Sequence, residues 1–225
     1  MSILDIARKI QQRIPVPTVA APHEAFCIGL DLAADFAALC VLERITTTTP
    51  EMKKQGKFEP PTFINKTKKI HHLLCLERLP STYPEIIEIV STLIASLPTA
   101  RMPPALAVNV TRVGKPVAIL MVKAGLPVIA VTATSGDAEH RVAQGEFRVP
   151  QADLVSTLAV IMQSDRFRVS TDLTEAEKLT SELVNFSGDD DRWKDSDNLC
   201  RSVAIAAWWC ERMMPVPKIK FSMAR

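Results

Sequence analysis

The order of the apolar runs constrains this chain more than any other feature. Three strand-like runs come first, at residues 25–33, 37–45 and 70–80. They predict an antiparallel meander, because strands that follow one another closely along a chain usually pair with each other. Residues 46–69, between the second and third runs, contain six lysines and two glutamates, a local charge of +4. This composition is typical of a long, solvated hairpin tip.

Helices and strands alternate in the middle of the chain. The spacing of apolar residues predicts a helix at 83–98, a strand at 105–110, a helix at 117–125 that ends at Gly125, and a strand at 126–134. A strand–helix–strand unit of this kind pairs its two strands in parallel. In the C-terminal third of the sequence, the spacing of apolar residues predicts three helices, which begin at Pro150, at Thr174 and at Leu199.

This order predicts an α/β domain with a ribonuclease-H-like fold. Its centre is a mixed five-stranded sheet, three antiparallel strands plus two parallel ones, flanked by helices. In such an order the first and fourth strands are neighbours, and the last helix begins at the same rim. We expect residues 25–214 to form this domain, residues 1–24 to form an N-terminal helix and linker, and residues 215–225 to form a tail.

The composition indicates the cellular environment of the protein but does not identify a binding partner. The hydrophobic content of 47% and the net charge of +2 are ordinary for a globular domain. Five cysteines without CxxC spacing predict buried free thiols in a reducing cytoplasm. No apolar run approaches the ~18–20 residues of a membrane span. The sequence therefore predicts a cytoplasmic protein without a membrane partner.

Polar residues occur at three places that this fold would bring together. They are Asp31 in the first strand, Asn109 in the fourth, and Asp195, Asp197 and Asn198 at the start of the last helix. Carboxylates at one rim would hold one or two Mg²⁺ or Mn²⁺ ions, which prefer oxygen ligands and can drive phosphodiester hydrolysis. Simpler interpretations stay open: Asn109 is a common type of turn residue, and aspartates often cap helices.

The chain also resembles a known family, the nuclease domain of phage and prophage terminase large subunits, which package viral DNA. The resemblance covers roughly residues 26–209, where seven short motifs fall in the family's order. They are "IGLDLAADFAALCVLER", "YPEIIEIV", "AVNVTRVGKPV", "AGLPVIAVTATSGD", "RVPQADLVSTLAVIMQSDRFRV", "SELVNF" and "DSDNLCRSVAIAAWW". In this family an ATPase domain normally precedes the nuclease domain. The chain has no GxxxxGK[ST] phosphate loop, so we expect a stand-alone nuclease-type domain.

The resemblance implies that Asp31, Asn109, Asp197 and Asn198 stand at the catalytic positions. The family usually has aspartate where Asn109 and Asn198 stand, and glycine where Arg112 stands. Asp31, Asp197 and Asp195 are then the carboxylates left to hold a metal. An asparagine removes a full negative charge beside a divalent ion, and Arg112 would repel a cation while attracting a phosphate.

Two functions remain open. The favoured one is a terminase nuclease-like protein, in the cytoplasm of the host cell, whose nuclease activity is impaired or lost. It would need no metal, and it would bind DNA or a protein partner such as a separate packaging ATPase. The alternative is an active two-metal DNA endonuclease that uses Asp31 and Asp197 with Mg²⁺ or Mn²⁺. Candidate DNA contacts are the basic residues Arg112, Lys115, Lys53 and Lys54, because clustered cations bind phosphates.

Overall fold

The computed structural model describes residues 25–33, 36–53, 62–80, 82–98, 100, 102–111, 114–185 and 197–212, with backbone alone at 47–53, 62–66, 80 and 185. The predicted N-terminal helix and the C-terminal tail lie outside these residues. The described strands and helices are β1 (Ala25–Leu32), β2 (Phe36–Lys53), β3 (Thr62–Pro80), α1 (Tyr83–Ser96), β4 (Ala105–Asn109), α2 (Gly114–Lys123), β5 (Val128–Thr134), β6 (His140–Ala143), β7 (Glu146–Pro150), α3 (Gln151–Gln163), β8 (Phe167–Val169), α4 (Ala176–Asn185) and α5 (Asn198–Arg212).

The described strands form one sheet in the order β6-β7-β5-β4-β1-β2-β3-β8. In its centre, β1 pairs antiparallel with β2 and β2 pairs antiparallel with β3. On the other side of β1, β4 pairs with it in parallel, and β5 continues in parallel beside β4. The succession β3-β2-β1-β4-β5 is the ribonuclease-H-like order, so the predicted fold class is confirmed.

The prediction of five strands is wrong, because the described part of the sheet has eight. The additional strands lie at the two edges: β7 beside β5, β6 beside β7, and β8 beside β3. They are only four, five and three residues long for β6, β7 and β8. All four residues of β6 are exposed, so no apolar run marks this strand in the sequence.

The described parts of the segment 46–69, residues 46–53 and 62–69, are also more regular than a hairpin tip. The antiparallel ladder of β2 and β3 continues from the pair Thr46↔Lys69 to the pair Lys53↔Thr62. No other described strand accompanies it there, since β1 pairs with β2 only as far as Arg44. We call residues 46–53 and 62–69 the ribbon. At ~3.3 Å per residue, its eight pairs extend roughly 26 Å beyond the sheet.

Alternation along β1 directs its side chains into two separate cores. Phe26, Ile28 and Leu30 belong to the core formed with α1 and α2. Cys27 belongs to the core on the opposite face, which is formed with α3, α4 and α5. Since side chains alternate in a strand, Gly29 and Asp31 share the α5 face with Cys27. This alternation places the carboxylate of Asp31 between the sheet and the last helix.

Helix α2 begins at Gly114, three residues before the predicted start, and α5 is described as far as Arg212. All five cysteines lie in the described part and are buried and free, as predicted. Trp208 of α5 is fully buried in the core between this helix and the sheet. None of the helices within the described ranges is long and apolar enough to span a membrane.

Candidate functional site

Asp31 and Asn109 stand side by side at the ends of two parallel strands. They are direct partners in the register of β1 and β4. The side-chain amide of Asn109 donates a hydrogen bond from Nδ2 to Oδ1 of Asp31 over 2.6 Å. Both residues are buried, with 2% of Asp31 and 8% of Asn109 exposed. The predicted proximity of the first and fourth strands is therefore confirmed.

Arg201 of α5 reaches the same carboxylate from the helical layer. Its Nε donates to Oδ2 of Asp31 over 3.1 Å, and the two side chains are only 11% and 3% exposed. The guanidinium also donates to Oδ1 of Asn198, one helical turn earlier. Each oxygen of Asp31 thus accepts a hydrogen bond from a neighbouring side chain, and one of these donors is a permanent cation.

Gly29 allows α5 to come this close to the sheet. A Cβ at this position would lie 2.0 Å from the carbonyl oxygen of Ser202 and 2.8 Å from Sγ of Cys40. Real Cβ atoms never approach backbone so closely, so only glycine permits this contact. Ser202 directly follows Arg201, and Gly29 precedes Asp31 by two residues on the same face of β1. The close contact therefore sets the distance between the guanidinium and the carboxylate.

The amide group of Asn109 suits its position because it both donates and accepts. While Nδ2 donates to Asp31, Oδ1 accepts from the backbone N–H of Thr111 over 3.0 Å and from the Thr111 hydroxyl. That hydroxyl accepts in turn from the backbone N–H of Ala133 over 2.9 Å. An ionised carboxylate at position 109 could not donate to Asp31. The asparagine links the end of β4 to both β1 and β5.

Asp197 and Asn198 open α5 and are almost completely buried, with 5% and 2% exposed. A further carboxylate, Glu182 of α4, accepts a hydrogen bond from the backbone N–H of Cys200 over 2.8 Å. Glu182 thus satisfies a backbone donor that the first turn of a helix leaves without an intrahelical partner. Burial, together with the charge of Asp197, raises the pKa of Glu182. This carboxylate holds the start of α5 in place.

Of the other predicted site residues, the structure describes only Lys53 and Lys115. Arg112, Asp195 and Lys54 lie outside the described residues. Lys53 ends β2 at the far end of the ribbon. Lys115, in the first turn of α2, is exposed and forms an ion pair with Glu146 of β7 over 3.6 Å. The structure thus brings together Asp31, Asn109, Asn198 and Arg201. Asp197 directly precedes Asn198 in the sequence.

Two residues of the cluster region, Arg201 and Glu182, were not singled out in the sequence. Arg201 had a usable signal, because it follows Asn198 by three residues and therefore lies on the same face of the predicted helix. Glu182 had no such signal. Its contact joins two different helices and depends on how they pack.

The described polar side chains around Asp31 do not fit a divalent metal. Of the four described candidate ligands, two are carboxylates and two are neutral amides. The oxygens of Asp31 accept from Asn109 and Arg201, and Oδ1 of Asn198 accepts from Arg201. Within the described ranges, no three or more His, Cys, Asp or Glu side chains form a group that could hold a metal ion. A guanidinium at hydrogen-bond distance from Asp31 would also repel a second cation.

Fold and site together define a ribonuclease-H-like α/β domain in which an arginine stands among the polar residues of the strand ends. No protein-family model and no curated protein matches the chain. Among solved structures, a match is found to the human cytomegalovirus terminase nuclease domain. It has 14% sequence identity and a TM-score of 0.48, and it covers 91% of this chain and 93% of that chain.

Proposed function

We propose that this protein is a terminase nuclease-like domain related to viral DNA packaging, which associates with DNA and whose nuclease activity is impaired or lost. The ordered motifs over residues 26–209 and the ribonuclease-H-like strand order support the kinship. The impairment is argued from one observation, the bonding of the Asp31 carboxylate to Asn109 and Arg201. A separate packaging ATPase is the protein partner that this kinship implies.

The chemistry of phosphodiester hydrolysis explains why this bonding matters. Enzymes of this kind use carboxylates to hold one or two metal ions that activate water and stabilise the leaving oxygen. Mg²⁺ loses its water ligands reluctantly and depends on negatively charged ligands to bind. Here two of the corresponding positions are neutral amides, and the remaining aspartate of β1 is already paired with a cation. In the proposed function, therefore, no catalytic step runs through a metal.

Plasmid cleavage tests the loss of activity. Incubated with supercoiled DNA and either Mg²⁺ or Mn²⁺, the wild-type protein is expected to cut no more than the variant Asp31→Ala. Asp153→Ala is the matched control, since Asp153 is an exposed carboxylate of α3 rather than a buried one at the end of β1. Cleavage that is lost in Asp31→Ala and retained in Asp153→Ala would overturn the proposal. It would favour instead an active two-metal endonuclease that uses Asp31 and Asp197.

The ribbon is the proposed contact to DNA. Its described strands carry Lys53, Lys66, Lys68 and Lys69, and the whole segment 46–69 has a charge of +4. Lysines on a projecting β-ribbon can reach several phosphates without reading the sequence. Such binding releases condensed counterions from DNA, so the affinity falls as the salt concentration rises.

The salt dependence of DNA binding tests this contact. In anisotropy titrations with a labelled duplex, the double substitution Lys53→Gln/Lys54→Gln is expected to reduce the slope of log affinity against log salt by about 2. The charge-matched control, Lys123→Gln/Lys178→Gln, changes exposed lysines of α2 and α4 and should leave the slope unchanged. Equal slopes for the wild-type protein and the Lys53→Gln/Lys54→Gln variant would exclude these two lysines as phosphate contacts.

A further inference from the structure

Arg201 brings a positive charge to the position between β1 and α5 where the implied metal ligands meet. Its guanidinium bonds to Asp31 on one side and to Asn198 on the other. The Asp31 and Arg201 side chains are nearly buried, at 3% and 11% exposure. The guanidinium is therefore held inside the domain by partners on two different elements, unlike an ordinary surface arginine.

We propose that Arg201 is a built-in cation that takes the place of a divalent metal between Asp31 and Asn198 and keeps this site closed to metal ions. The inference rests on the proposed function, because the terminase resemblance is what marks Asn109 and Asn198 as positions where the family has metal-binding aspartates. It goes further by assigning the exclusion of metal chiefly to the arginine rather than to the two asparagines.

Charge is the first reason. An arginine stays protonated throughout the accessible pH range, so it compensates the carboxylate of Asp31 permanently. A divalent ion entering the site would have to lose water, displace the guanidinium from Asp31 and remain near another positive charge. Repulsion between the two cations is strong here, since solvent does not screen buried charges as it screens those on the surface.

Hydrogen bonding is the second reason, because the two asparagines complement the arginine. Asn198 accepts from the guanidinium, and Asn109 donates to Asp31 over 2.6 Å while accepting from Thr111. Changing only Asn198 to aspartate would give Arg201 a charged partner and hold it more firmly. Changing only Asn109 to aspartate would remove the hydrogen bond that Asn109 donates to Asp31 and would place a second carboxylate against it. As long as Arg201 is present, we therefore expect the site to stay closed to metal ions even when aspartates replace the two asparagines.

Binding of Mn²⁺ alone tests the proposal without relying on activity. Bound ion is counted by electron paramagnetic resonance in four proteins: wild type, N109D/N198D, R201Q and N109D/N198D/R201Q. We expect the triple variant to bind Mn²⁺ more tightly than N109D/N198D by about tenfold or more, the scale on which residues surrounding a metal change its affinity. Equal affinity of the double and triple variants would overturn the role of Arg201. So would a folded triple variant that binds no Mn²⁺.

A thermal-stability cycle tests whether Arg201 compensates the charge of Asp31, even if the triple variant does not fold. R201Q leaves the charge of Asp31 without its guanidinium, whereas D31N/R201Q replaces the ion pair by two neutral amides. If Arg201 is the cation that compensates Asp31, the drop in Tm of D31N/R201Q is smaller than the summed drops of D31N and R201Q. A drop equal to that sum would overturn the proposal.

The two proposals fail in different ways. Metal-dependent cleavage by the wild-type protein that is lost in Asp31→Ala would overturn the loss of nuclease activity. An inactive wild-type protein, together with strong Mn²⁺ binding by N109D/N198D, would overturn only the function of Arg201. In that case the asparagines alone would account for the absence of metal binding.

Discussion

Replacing Gly29 by alanine is expected to lower the free energy of unfolding by about 3 kcal/mol or more, the upper part of the range for overpacked cores. The new methyl group would lie 2.0 Å from the carbonyl oxygen of Ser202. Because that atom belongs to the backbone of α5, the clash can be relieved only by moving the helix. Urea unfolding followed by circular dichroism measures the loss.

Gly136→Ala is the matched control for this substitution. The nearest atom to a Cβ at Gly136 is Oγ1 of Thr134, at a distance of 3.8 Å, which is ordinary van der Waals contact. We expect this variant to stay within about 0.5 kcal/mol of the wild-type stability, as surface substitutions usually do. A comparable loss in both variants would show that the contact between β1 and α5 is not the cause.

The second large effect concerns pH and a buried histidine. His71 of β3 is fully buried, and its Nε2 lies 3.2 Å from Oε1 of Glu211. Arg166 donates to the same oxygen over 2.7 Å. Burial lowers the pKa of His71 to about 4, although the charge of Glu211 acts to raise it. Arg166 and Arg44 add to the lowering.

The sign of the pH effect follows from this lowered value. An unfolded histidine takes up its proton near pH 6.5, whereas folded His71 does so only near pH 4. The stabilisation is therefore complete above pH ~6.5 and is lost as the pH falls towards the folded value. Between pH 7 and pH 5 the protein should lose about 2 kcal/mol of stability through this residue.

Urea unfolding of the wild-type protein and His71→Gln at several pH values measures this contribution. The variant should show a shallower fall in stability between pH 7 and pH 5. His72→Gln is the matched control, because the neighbouring His72 is only half-buried and burial lowers its pKa as well. It should retain most of the fall. Parallel curves for the wild type and His71→Gln would contradict the assignment.

The central strands could be predicted because burial on both faces leaves a continuous apolar run. All eight residues of β1 are buried, and so are all five residues of β4. The edge strands carry no comparable pattern. The three residues of β8 are extended only because they pair with His71, His72 and Leu73. This pairing depends on the tertiary fold and leaves no periodicity in the sequence.

The candidate site was predictable in part for the same reason. Once the strand order is known, Asp31 and Asn109 must be neighbours, because their strands run side by side in parallel. The position of Arg201 depends instead on how deeply α5 packs. That depth is set by the absence of a side chain at Gly29. From the sequence alone, an arginine in an amphipathic helix is expected to be exposed to solvent. The sequence therefore indicated where the site lies but not which charge occupies it.

The buried cysteines make the domain its own reporter of opening. Burial raises the pKa of Cys40 and of Cys200 to about 12, so in the folded protein both remain unreactive thiols at neutral pH. In the unfolded chain the pKa returns to ~8.5, and the sulfur atoms become accessible to reagents. A thiol-directed label can then react only during an opening event. The rate at which Cys40 and Cys200 are labelled at neutral pH would thus report how often the layer of α5 separates from the sheet.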